Sequence, residues 1–160
     1  MRTLTEQRVE PIPQIPDVPY PSRSEPPIRS DAVYVLFTSI ESTLEAARIG
    51  HDFATAMSVP LTLVHVRPVP YPLAVDAPTG VSPLETQTFR DRLEAAGVKA
   101  RIRIVLCRDE RRALATAVPA HSLVVLGGRK RLWPTRTERF RRVLDAAGHY
   151  VVFVQEPSHA

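Results

Sequence analysis

A single doubly wound, five-stranded parallel sheet with helices on both faces, an α/β architecture, is predicted from three features of the 160-residue chain. Short apolar runs alternate with longer helical patterns, which implies right-handed crossovers between parallel strands. Most of those runs carry no charge, as expected of strands covered on both faces. The hydrophobic content of 44% supplies enough apolar surface for one core, and the length suits one domain with a tail.

Residues 1–30 stand apart from that pattern. Seven of the sixteen prolines lie there, in PIPQIPDVPYPSRSEPP and its surroundings. Proline removes backbone donors and favours extended conformations, so a disordered tail is expected. The PQIP and PDVP matches offer a second reading, a docking segment for a protein partner. The regular domain is expected over residues 31–156, with 157–160 a short C-terminal tail.

VYVLFT (33–38) reads as the first buried strand. Residues 41–57 follow with Leu44, Ala47 and Ala54, and with Ala46, Gly50, Phe53 and Met57, at helical spacing. LTLVHV (61–66) is the second strand, announced by Pro60. Five prolines and Gly80 make 67–83 a long loop. Residues 84–97 form a helix closed by Gly97. VKARIRIVL (98–106) is a strand whose Lys99, Arg101 and Arg103 alternate on one face. A helix over 108–118, a strand over 122–128, a helix over 135–147 and a strand over 149–155 complete the order.

Open sheets of this kind bind ligands beyond the carboxyl ends of their strands. Those ends are Thr38–Ser42, Val66–Pro70, Cys107–Glu110 and Gly127–Arg131. The last opens GGRKRLWPTRTERFRR, in which seven of the residues are Arg or Lys and only Glu138 opposes them. A glycine pair there lets backbone N–H groups approach a phosphate, and Arg129, Lys130, Arg131 and Arg136 add charge-assisted donors. The alternative is a solvated helix face. Phe140, Val143, Leu144 and Ala147 then form the buried stripe, with Arg139, Arg141 and Arg142 outside.

The edges are also legible. The cationic face of VKARIRIVL resembles a guarded sheet edge. YVVFV carries no such guard, and if it also lies at an edge it should pair with a second copy.

The element order, the LVHV strand, the long loop after it, and SLVVLGGR followed by RVLDAAGHYVVFV resemble a universal stress protein domain over residues 31–156. The resemblance implies a sheet order of 3-2-1-4-5 and a homodimer through the final strand, Tyr150 to Val154. It also implies a cleft that holds ATP in many members, with little or no enzymatic chemistry. Several of the nucleotide-binding marks have changed here. Thr38 replaces the aspartate that meets adenine, and Gly127-Gly128-Arg129-Lys130 retains only the first glycine of the GxxG turn. Thr137 and Glu138 stand for a Gly-Ser pair, and Cys107 for a glycine. An eroded cleft lined by Thr38, Val66, Gly127, Gly128, Arg129 and Lys130 is therefore expected, with no obligatory cofactor. ATP or another adenine nucleotide remains the candidate ligand. A rival reading is a nucleotide switch, for ATP, AMP or a cyclic dinucleotide, that uses the basic loop. GGRKRLW is loosely similar to the loop by which stress-protein-like domains of potassium-sensor kinases take a cyclic dinucleotide.

Other classes are disfavoured. A net charge of +4 and a pI of about 9.7 are too mild to indicate nucleic acid, and beyond Trp133 and Tyr71 few aromatics are available for stacking. The single cysteine excludes an intrachain disulfide. No apolar run is long enough to span a membrane, and the N-terminus lacks a secretion signal; a cytoplasmic protein is expected. His65, His121 and His149 come from separate elements without metal-ligand spacing. Ser39 and Ser42 read as helix caps. Cys107 reads as an inert thiol, although Arg108 beside it offers a route to a lowered pKa. Asp109, Glu110 and Glu138 form no recognised catalytic arrangement, so no enzyme is expected.

Overall fold

In the computed structural model, residue 28 and residues 30–72, 83–129 and 135–156 are described. β1 (Val33–Leu36) is buried along its whole length because it lies mid-sheet, paired in parallel with β2 (Leu61–Pro68) and β4 (Leu123–Gly128). β3 (Arg101–Cys107) flanks β2, and β5 (Tyr150–Gln155) flanks β4. The order is β3-β2-β1-β4-β5, all parallel, as expected.

The helices α1 (Ile40–Met57), α2 (Pro83–Ala95), α3 (Glu110–Thr116) and α4 (Arg136–Ala146) connect these strands. They divide the core into two layers. Val33, Val35, Leu63 and Val125 pack under α1 and α2 with Ala46, Ala47 and Phe89. Tyr34, Leu36, Val64 and Leu126 pack under α3 and α4 with Leu114, Phe140 and Leu144. Alternation along each strand produces this division, since successive side chains point to opposite faces.

Boundaries shift where a cap decides them. Ser39 accepts from the Ser42 N–H and starts α1. Asp109 accepts from Arg112 N–H at 3.1 Å, so α3 starts later than position 108. Ser58, at φ 55°, ends α1 in the left-handed region, where glycine is the commoner choice. Gly97 at φ +72° ends α2 as the sequence predicted. β3 starts at Arg101, three residues after the expected point, because its pairing with β2 begins at Thr62↔Arg101. β2 runs on to Pro68, since Arg67 and Pro68 continue the same ladder.

Both outer strands behave as their composition suggests. Arg101 and Arg103 are exposed along β3. β5 is half-buried from Tyr150 to Val154 and carries no charge in that span. No helix among the described residues is long and apolar enough to cross a membrane. The expected tail (apart from residues 28 and 30), the centre of the 67–83 loop, Lys130, Arg131, Trp133 and residues 157–160 lie outside the described residues.

Candidate functional site

The sheet order reverses between β1 and β4, so the switch-point crevice opens at the ends of those two strands. Thr38 sits in it with both polar groups engaged. Its hydroxyl donates to the Gly127 carbonyl at 2.8 Å, and its N–H donates to Thr43 Oγ1 at 3.1 Å. The first of these bonds ties the end of β1 to the end of β4.

Gly127 is needed for packing. A Cβ there would stand 1.9 Å from the Ser42 carbonyl oxygen, which is backbone of α1. Helix and strand therefore meet at a separation that only glycine permits. Gly128 points to the other face, where a Cβ would lie 2.8 Å from the Thr137 methyl and 3.2 Å from the Phe153 ring. Each glycine accommodates a neighbouring element of the fold.

Arg129 continues the alternation and points to the α1 side. Its Nε donates to Glu156 Oε2 at 3.0 Å, and its Nη2 donates to Oε1 at 2.8 Å. The Ser42 hydroxyl donates to the same Oε2 at 2.9 Å. Glu156 is only 8% exposed, and its N–H closes the ladder on the Gly128 carbonyl at 3.0 Å. The carboxylate thus rests on the first turn of α1, where the helix dipole favours negative charge. Its hydrogen bonds and charge raise the pKa of the Arg129 guanidinium above the usual arginine value. In chemical terms this is an anion site whose anion belongs to the chain.

The start of α4 shows the same economy. Thr135 caps the helix by accepting from the Glu138 N–H at 3.2 Å, and Thr137 is buried against Gly128. Arg136 pairs with Glu110 and lies over the Phe140 ring, 4.9 Å from its centroid. Arg139, Arg141 and Arg142 are exposed, with Phe140 and Leu144 buried beneath them.

The structure therefore groups Thr38, Gly127, Gly128 and Arg129, while Lys130 lies outside the described residues. Val66 is buried on β2, with β1 between it and β4. Ser42 is not a cap; it serves Glu156. Sequence reasoning missed Glu156 altogether. The available signal was register: with Gly128 opposite Gln155, residue 156 must lie beside residue 129.

Among the described residues no group of three or more His, Cys, Asp or Glu could hold a metal ion. Burial raises the Cys107 pKa, and Glu110 and Asp109 push it further in the same direction, so the alternative of a value lowered by Arg108 is not realised. Arg108 instead donates to the Val69 carbonyl at 2.8 Å and lies over Tyr71, 4.2 Å from the ring centroid.

No protein-family model matches the chain, and no curated protein sequence does. Solved structures do. The universal stress protein from Archaeoglobus fulgidus superposes with a TM-score of 0.54 at 16% identity, over 78% of this chain and 98% of that one. A universal stress protein family member from Burkholderia pseudomallei gives 0.44 at 18%, over 78% and 96%. A universal stress protein solved in complex with cAMP gives 0.49 at 18%, over 80% and 100%. At such identities the likeness is one of fold. The strand order and the Archaeoglobus match together give this chain the universal stress protein fold.

Proposed function

We propose that this chain is a cytoplasmic, non-catalytic regulatory or stress-response module of universal stress protein type, dimeric through β5, that works without a resident adenine nucleotide. The observation that carries this reading is the Glu156 carboxylate, held by Arg129 and Ser42 beside the switch point. With Arg129 so engaged and both glycines packed against side chains or backbone, the cradle for a phosphate has little left to offer. The acidic residues that a hydrolase would use are also engaged: Asp109 caps α3, and Glu110 pairs with Arg136.

An uncharged, half-buried edge from Tyr150 to Val154 supports pairing with a second copy, whereas arginines guard the opposite edge. The proline-rich residues 1–30 supply a candidate docking segment for a protein partner.

Isothermal titration with ATP, AMP and a cyclic dinucleotide tests the nucleotide half of the proposal. No heat is expected with any of them, and micromolar binding would favour a nucleotide switch. Sedimentation velocity tests the assembly. The expected result is a dimer that Val152→Lys converts to a folded monomer, and a wild-type monomer at micromolar concentration would remove the β5 interface.

A further inference from the structure

On the far side of β1 from the switch point, the described residues outline a cavity of about 590 Å³ between α2 and the strands β2 and β3. It exists because α2 is held off the sheet. The helix makes its close backbone contacts with α1, is tied there by the Arg92–Glu41 ion pair at 3.2 Å, and reaches the sheet layer through Phe89 and Leu93. The volume lies within the range of about 300–1,000 Å³ typical of small-molecule sites.

The lining has a definite chemistry. Phe37 lies against His65 with ring centroids 4.2 Å apart and planes tilted by 31°, and meets Phe89 edge-on at 5.6 Å. These three rings, with Leu63 and Ile104, make an apolar wall suited to a flat body. His65 is neutral in this setting. Burial first, then the positive charges of Arg67 and Arg136, lower its pKa to about 4.

Arg67 shares the His65 face of β2 and lines the same cavity. It is partly buried and forms no ion pair or hydrogen bond among the described residues, unlike Arg48, Arg92, Arg129 and Arg136. A partly buried cation with no counter-charge among the described residues favours an arriving anion. Arg136 also reaches this cavity but is already engaged by Glu110. Among the described residues, one uncommitted cation over an apolar wall matches a single negative charge better than a polyphosphate.

We propose that this cavity binds a small aromatic monoanion, an arylcarboxylate or arylsulfonate, with its ring against Phe37, His65 and Phe89 and its charged group on Arg67. Val66 and Arg136, which the sequence grouped with the cleft, reach its rim, but the site lies on the α2 side of β2 and does not rest on the reading given for Thr38, Gly127 and Arg129.

The test is calorimetric titration of the full chain with 2-naphthoate, with the uncharged 2-naphthamide as control. Sub-millimolar binding of the acid is expected. The amide, and the acid on Arg67→Gln, should each bind about tenfold more weakly or worse. Thr86→Trp, which places a ring in the cavity from its α2 side, should abolish binding; should it fail to fold, the amide and the Arg67→Gln arms still decide. Absence of heat with the wild type at millimolar acid overturns the proposal. So does equal affinity for acid and amide, unchanged affinity in Arg67→Gln, or retained binding in a folded Thr86→Trp variant.

Discussion

Beyond the end of β4 a guanidinium lies in bidentate contact with a buried carboxylate, whereas near the end of β2 the Arg67 guanidinium has no carboxylate among the described residues. Both places sit at the carboxyl end of a parallel sheet, where ligands usually bind. At the first, α1 comes so close to β4 that Gly127 has no room for a methyl group, and Glu156 supplies the negative charge. At the second, α2 stands away from the strands and leaves a cavity. The difference lies in helix placement, and it decides which arginine is available to a ligand.

Substitution at Gly127 should have the largest effect. An alanine there meets backbone, which cannot rotate away, and is expected to cost about 3 kcal/mol and roughly 10 °C in melting temperature. Gly128→Ala meets the Thr137 methyl and the Phe153 ring tip, which can shift, and should cost about 1 kcal/mol. Equal losses in thermal melts would mean that the α1–β4 approach is not what closes the crevice.

Next in size is the contrast between the two charged groups. Glu156→Ala leaves the buried Ser42 hydroxyl without its acceptor and should cost about 1–3 kcal/mol. Arg67→Gln breaks no ion pair or hydrogen bond among the described residues and should stay within about 0.5 kcal/mol of wild type. Urea denaturation of both variants sharpens the comparison, and a larger loss for Arg67→Gln would reverse it.

Acid should weaken the fold through the histidines. The folded pKa of His65 is about 4, below its ordinary value of 6.5, and that of His149 is also lowered, chiefly by burial. Between those limits the unfolded chain binds more protons, so stability rises with pH. It is complete above about 6.5 and is lost as pH falls toward about 4. Urea midpoints measured across that window should fall with acid, and His65→Phe should flatten the slope. An unchanged slope would mean that the imidazole is more hydrated than the Phe37 contact implies.

The smallest expected effect concerns Cys107. Its raised pKa predicts alkylation by iodoacetamide at neutral pH slower than that of an unfolded cysteine peptide. A faster rate would mean that Arg108 governs the thiol after all.

The alternating elements and the core were legible in the sequence because uncharged runs such as VYVLFT and SLVVLGG suit strands covered on both faces, whereas the strand order came from the resemblance to universal stress proteins. The guarded and unguarded edges followed from Arg101 and Arg103 on one strand and YVVFV on the other. The site was less legible. Composition marked Arg129 and Arg136 as available cations, but their partners, Glu156 and Glu110, lie far along the chain and become neighbours only through strand register and helix packing. The glycines misled in a related way. A glycine pair after a strand signals close approach, and here the approaching groups are α1 backbone and the Thr137 side chain. The cavity had no sequence signal, since it depends on how far α2 stands from the sheet.

The most direct test is a titration of the 15N-labelled protein with magnesium ATP, followed by amide correlation spectra. If the switch point is closed by the chain's own groups, the signals of Thr38, Gly127, Gly128 and Arg129 will not move at millimolar nucleotide. Saturable shifts of Gly127 and Gly128 at micromolar ATP would contradict that account and restore the crevice as a nucleotide site.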